Sequence, residues 1–316
     1  MVDNKIKNKK IVCLGGGIGT VNLIKGIKDY FTDITVAVSM ADEGGSAGRL
    51  RRLYNIPPPG DLVSCMAAIG SKTNPEVSKL LTYRFPGDRY ANDKELSGHK
   101  LGSLILVAMR DITGDFEKAI ELLQKTFDIP GVFLPATEGQ VRISITTHNG
   151  QEITGEENID LGKYDWNDGI DKVALYPKNC KANSKLIEKL HQADVIVAGP
   201  GDLYTTTLPV LIIPEIRKAL TESTATKIFV VNITNKPYET RNYKVSDYIR
   251  AVEKNMGFFP FTKVIANTNY APVIPRKYNY TYVKVDRKIQ TVVGDLIDKH
   301  FPLYHDSVKL AKALLE

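Results

Sequence analysis

Residues 41–52, ADEGGSAGRLRR, set two carboxylates and three guanidiniums around glycines and small side chains. Asp42 and Glu43 could accept hydrogen bonds from a ribose or hold a divalent cation, while Gly44, Gly45, Ser46 and Gly48 leave backbone amides open to an anion. Arg49, Arg51 and Arg52 could then face a diphosphate. Arginines at this spacing also make a solvated helix face, and Arg49 has the strongest claim because it lies nearest the glycines. Gly15-Gly16-Gly17-Ile18-Gly19-Thr20 is a second anion cradle, where free N–H groups meet the positive end of a helix. Its dinucleotide fingerprint is incomplete, since Thr20 stands where the third glycine belongs, and a plain strand-to-helix turn is the alternative. A third loop, Gly199-Pro200-Gly201-Asp202-Leu203-Tyr204-Thr205, repeats the design. There Tyr204 could stack on a base, and Thr205 and Thr206 could bind its polar edges. In Pro57-Pro58-Pro59-Gly60-Asp61 the aspartate serves equally as a helix cap or a ligand contact. His99, within SGHKLGS, could approach a cleft, although a lone histidine is more often structural.

Such loops need strands behind them. KIVCLGGGIGTVNLIKGIKDYF reads as a buried strand, a glycine turn and an amphipathic helix with Val21, Ile24 and Ile27 on one side. DITVAVSMADEGG repeats that grammar with an apolar run from Ile34 to Met40, so two parallel strands should end at one edge, where ligands of open α/β sheets collect. Residues 60–85 and 100–128 carry helical spacing, and LGSLILVAMRDI, apolar almost all round, predicts a buried helix. Beyond Pro130 the alternation of VRISITTH and the turn pair Asn149-Gly150 predict a small antiparallel excursion over 130–178 within one large domain, 1–316. Parallel grammar resumes with a strand over Asp194–Ala198, then KIFVVNIT, FTKVIANT and a closing helix in DSVKLAKALLE. The class is α/β, a doubly wound, mostly parallel sheet with a small antiparallel elaboration.

Composition agrees with a folded protein: 43% hydrophobic and 25% charged residues fit a globular domain rather than a disordered one. The net charge of +6 is spread along the chain, which favours small anionic ligands over a nucleic-acid backbone. Cys13, Cys65 and Cys180 are odd in number and lack metal-ligand neighbours, so neither a disulfide framework nor a zinc site is expected. No apolar run reaches the roughly 20 residues of a membrane span, and the polar, basic start carries no secretory signal core. A cytoplasmic protein is the expectation.

Taken in order, LGGGIGT, ADEGGSAGRLRR, PPPGD, SGHKLGS, ITGDF, LPAT, GPGDLYTTTLP and the stretch at Pro237-Tyr238-Glu239-Thr240 resemble the gluconeogenesis-factor (YvcK-like) family, a branch of the larger CofD, or 2-phospho-L-lactate transferase, group. The resemblance implies a Rossmann-like cytoplasmic protein that binds UDP-sugars such as UDP-N-acetylglucosamine or UDP-glucose, supports cell shape during gluconeogenic growth and self-associates. By that pattern Gly16, Gly17, Gly19 and Thr20, the segment from Asp42 to Arg49, and Gly199, Gly201, Asp202, Leu203, Tyr204 and Thr205 would line the cleft, with Asn232 and Asn267 at strand ends as further contacts. This chain departs from the family at Ile18 (threonine in GGGTG), Glu43 (the second aspartate of DDGG), Ala47 (a serine) and Ser103 (the asparagine of GHSLGN). NKPYETRNY, residues 235–243, also replaces QPGETDGY, which puts Tyr238 for glycine at the local turn.

Three functions remain open at this level. A nucleotide-sugar-binding regulator fits two anion loops without a nucleophile-base pair. A CofD-like transferase of a phospho-group would use Asp42, and Glu43 with it, as catalytic carboxylates, Asp42 holding Mg2+ and the arginines facing phosphoryl charge. A dinucleotide-dependent oxidoreductase would use Asp42 as the ribose acid, against a broken fingerprint.

Overall fold

The computed structural model describes residues 4–92, 94–286 and 291–316. Twelve strands are described: β1 Lys10–Gly15, β2 Asp33–Val38, β3 Val132–Pro135, β4 Arg142–Thr147, β5 Glu152–Thr154, β6 Ile170–Tyr176, β7 Val195–Ala198, β8 Thr226–Val230, β9 Thr234–Asn235, β10 Lys263–Asn267, β11 Thr281–Tyr282 and β12 Thr291–Gly294. Seven of them form one sheet in the order β12-β10-β8-β7-β1-β2-β3, every pair parallel. Their continuous apolar runs follow from being covered on both faces; β1 and β2 bury every residue but their first. Winding outward from β1 through β2 to β3, and then from β7 through β8, β10 and β12, the chain reverses direction between β1 and β7. In an open α/β sheet that reversal opens a crevice at the strands' carboxyl ends.

The helix Gly17–Ile27 follows β1 and buries Leu23, Ile24 and Ile27. It packs on the closing helix Ser307–Leu315 so tightly that a Cβ at Gly26 would lie 2.1 Å from the Ser307 carbonyl oxygen. Asp306 caps that closing helix, its carboxylate accepting from the amides of Val308 and Lys309. Helices Gly45–Tyr54, Gly60–Gly70, Pro75–Thr82, Leu101–Thr113 and Phe116–Phe127 fill the span between β2 and β3. Leu101–Thr113 is not buried all round: Leu106 and Val107 face inward, while Ile112 is 77% exposed.

The antiparallel excursion is a three-stranded sheet, β5-β4-β6. It begins later than the pattern change at Pro130 implies, because β3 pairs parallel with β2; a four-residue apolar strand carries too little alternation to tell the two sheets apart. The Asn149-Gly150 turn forms as expected, with Gly150 at φ +88 joining β4 to β5. Among the described residues no helix is long and apolar enough to cross a membrane.

Candidate functional site

A cleft of about 690 Å3 opens at the carboxyl ends of β1 and β7, a size typical of small-molecule sites. Two glycine loops form its floor. A Cβ on Gly19 would lie 2.4 Å from the Pro200 carbonyl oxygen, so only glycine lets the loops after β1 and β7 touch. Thr20 is fully buried and braces the first loop, its Oγ1 accepting from the Gly16 amide at 2.9 Å. Gly16, Gly17 and Gly19 line the cleft, as do Gly201, Asp202, Thr205 and Asn232. Asn232 steadies the second loop by accepting from the Gly201 amide at 3.0 Å. Gly16 gives the helix Gly17–Ile27 no side-chain cap. Asp61 fills part of that role: its Oδ2 accepts from the Gly17 amide at 2.7 Å. It therefore faces the cleft, whereas its own helix starts behind Pro59.

Several expected ligand residues turn inward instead. Arg49 is 1% exposed, and its guanidinium donates to the carbonyls of Asn92, Glu95 and Ser97. At the fifth position of the helix Gly45–Tyr54 it points behind the glycines and anchors a loop. Arg51 likewise binds the Met40 and Val141 carbonyls. Glu43 pairs with Arg142 at 2.7 Å and Arg51 at 3.8 Å. Tyr204 is buried, its hydroxyl 3.2 Å from the Ile170 carbonyl and 3.0 Å from the Tyr243 hydroxyl, so it cannot stack on a base. Asn267 is consumed in local bonds to Asn269 and Leu296, and Leu203 is core. Gly44, Gly45, Gly48 and Gly199 stand behind the wall: a Cβ on Gly48 would meet the Glu43 carbonyl at 1.8 Å, and one on Gly199 the Val230 carbonyl at 2.7 Å. Ser46 accepts from Arg84 at 3.2 Å, and His99 is buried rather than open to the cleft.

At the end of the cleft beside β2, Asp42, Asp61 and Glu156 face Arg84, Arg89 and Lys100. Burial pushes Asp42 up to about 7, aided by the Asp61 charge and opposed by the Gly44 amide, Arg89 and Lys100. Asp61 is also raised, by burial against the pull of Lys100, and Glu156 reaches about 9 through burial, Asp42 and Asp160. Lys100 is pulled down by burial and donates to the Gly60 carbonyl and Ser64.

At the other end, beyond β8, Tyr280 and Tyr304 line the cleft beside Asn232 and Thr234. Lys236 sits between them and the floor. Its Nζ lies 2.8 Å from Asp202 and 3.8 Å from Glu239 and also bonds Asp160. Burial works against its charge, but these three carboxylates outweigh that and hold it well above the usual lysine range. Glu239, buried, rises to about 7 while accepting from the Tyr204 amide and the Thr205 hydroxyl. Asp160, Asp202 and Glu239 have oxygens within 4.8 Å of one another, a spacing a metal ion could use, but the ammonium of this chain already lies among them. Tyr238 packs over Gly162 and near the Trp166 ring, and the Lys236 amide bonds the Thr240 hydroxyl at 3.2 Å, so the turn survives without glycine.

A Rossmann strand order with glycine loops meeting at its reversal defines the class. Within that class, the family model described as 2-phospho-L-lactate transferase CofD matches residues 11–301. The chain belongs to the CofD family, in its gluconeogenesis-factor branch. It is 35% identical to the gluconeogenesis factor of Bacillus subtilis (strain 168), covering 97% of each chain. It is 35% identical to that of Halalkalibacterium halodurans, over 98% of this chain and 97% of the relative. A crystal structure of a UPF0052-family protein from Bacillus halodurans superposes with a TM-score of 0.88 at 33% identity, over 98% of this chain and 99% of the other.

Proposed function

We propose that the cleft binds a nucleoside diphosphate sugar of the UDP type and that this binding is the regulatory act of the protein, in the cytoplasm, in support of cell shape during gluconeogenic growth. The observation that carries the reading is the meeting of Gly19 with Pro200. It brings two loops rich in backbone amides to one point at the positive end of a helix, where a diphosphate is favoured. Tyr280 and Tyr304, with the Asn232 amide, offer a flat apolar wall and a polar edge for a base. Self-association fits the exposed Leu53, Tyr54 and Ile112 on two helices that pack together, and light scattering measures it directly.

The test is thermal unfolding with UDP-sugars, GDP and NAD, each with and without Mg2+. A UDP-sugar at about 100 times its Kd adds roughly 2.7 kcal/mol of stability, and Gly19→Ala, which forces the loops apart, abolishes the gain. No shift with any uridine diphosphate removes the reading, and selective stabilisation by NAD favours an oxidoreductase.

A CofD-like phospho-group transfer is the second reading, supported by the family and by Asp42 and Asp61 in one cleft. Their donor set fits Mg2+: two carboxyls, one of them raised by burial and further by the other's charge, gain from a cation that offsets their repulsion. The metal would supply charge stabilisation to a phosphoryl group. Asp42, Asp61 and Lys100 would bind and orient the reacting groups. Consumption of a nucleoside-diphosphate donor in the presence of Mg2+ decides for this reading.

A further inference from the structure

His305 follows Tyr304 in the wall of the cleft beyond β8 and is 3% exposed. Its Nε2 has no hydrogen-bond partner among the described residues. The other ring nitrogen, Nδ1, is therefore the one that meets the Val231 backbone. The Val231 amide is already donated to the Ile265 carbonyl, so the group facing the ring is the Val231 carbonyl, an acceptor. Nδ1 carries the proton, and Nε2 keeps its lone pair. Burial lowers His305 to about 3, which leaves the imidazole uncharged. An acceptor buried without a donor is uncommon and costly, and a ligand N–H would satisfy it.

One peptide unit from that carbonyl, Asn232 offers the opposite polarity. Its Oδ1 accepts from the Gly201 amide at 3.0 Å, a bond that Nδ2 could not make, so the orientation of the side chain is fixed. Nδ2 is left to donate into the cleft that the residue lines.

We propose that Asn232 Nδ2 and His305 Nε2 read the imide edge of the ligand's base, a C=O beside an N–H, and thereby select uracil against cytosine. This rests on the nucleotide-sugar reading and assigns its base. Uracil presents O4 as acceptor and N3–H as donor, matching the pair. Cytosine reverses both, with an exocyclic amine and a bare N3, and would set donor against donor and acceptor against acceptor. Tyr280 and Tyr304 supply ring faces at the same end. Nε2 keeps almost no water-accessible surface, so the wall over it shifts as the base enters.

Calorimetric titration of the full chain with UDP, CDP, GDP and N3-methyl-UDP tests the edge. UDP should bind about tenfold more tightly than CDP and than N3-methyl-UDP, which has lost the donor. His305→Phe, which keeps a ring and removes the acceptor, should bring the ratio of UDP to N3-methyl-UDP toward one. The ligand series needs no variant and so stands if His305→Phe folds poorly. Equal binding of UDP, CDP and N3-methyl-UDP overturns the base-reading pair and leaves the nucleotide cleft intact. GDP carries the same edge on a larger base, and tighter binding of GDP than of UDP overturns the assignment to uracil. Absence of binding by all four overturns the nucleotide reading as well.

Discussion

The two ends of the cleft use the same residue types to opposite effect. Beyond β8 one ammonium, Lys236, is surrounded by Asp160, Asp202 and Glu239, and the cluster ties the excursion to the parallel sheet. Beside β2, among the described residues, Arg84, Arg89 and Lys100 form no ion pair; Arg84 donates to Ser46 and the Gly98 carbonyl and Lys100 to Ser64 and the Gly60 carbonyl, among carboxyls raised by burial. Pairing, rather than the number of charges, separates a structural brace from a surface that can take a ligand's charge. The difference lies in what meets the charge: carboxylates surround the ammonium at one end, while hydroxyls and backbone carbonyls meet Arg84 and Lys100 at the other, and the buried ion pairs are the costlier to break.

The largest effect should come from removing what holds the cationic end in place. Arg49→Ala leaves three inward-facing carbonyls without their donor and should cost about 3 kcal/mol of stability in urea unfolding, with loss of nucleotide affinity as the loop is released. A cost near that of an exposed arginine would show that the loop holds itself. Next, Lys236→Met strands three carboxylates together and should cost about 2 kcal/mol, moderated because water reaches Asp160 and Asp202. Arg89→Met, by contrast, should stay within about 0.5 kcal/mol. Equal costs for the two would erase the distinction drawn here.

The smallest effect is a slope. Asp42 is raised from 3.8 to about 7, so between those values the native state keeps a proton that the unfolded chain has released, and stability falls as pH rises through that window. Asp42→Asn should flatten the decline by on the order of 1 kcal/mol between pH 4 and pH 7, once solvent access to the cleft is allowed for. Unfolding curves at several pH values measure it. A slope that survives the substitution unchanged would assign it to Glu156 or Glu239.

The strands and both glycine loops are legible in the sequence because each couples an apolar run with a local break in side-chain size. The site is less so. Asp42 and Asp61 stand out by their loops, but whether Asp61 caps its own helix or reaches Gly17 depends on how two helices pack. Arg49, Tyr204 and Asn267 have ligand-like chemistry and are nevertheless turned away, since helical phase and neighbouring carbonyls decide their direction. Arg84, Arg89, Glu156, Asp160, Tyr280 and Tyr304 carry no local signal, as they converge from four separate segments. Lys236 lies in the altered NKPYETRNY stretch, but Tyr238 is the residue that stands out there, so the ammonium too is found only in the fold.

Contributions to the cleft run from Gly16 to His305, and its floor joins residues about as far apart as Gly19 and Pro200. Ligand affinity therefore reports on the folding of the whole span at once, because no shorter stretch supplies all the pocket's walls.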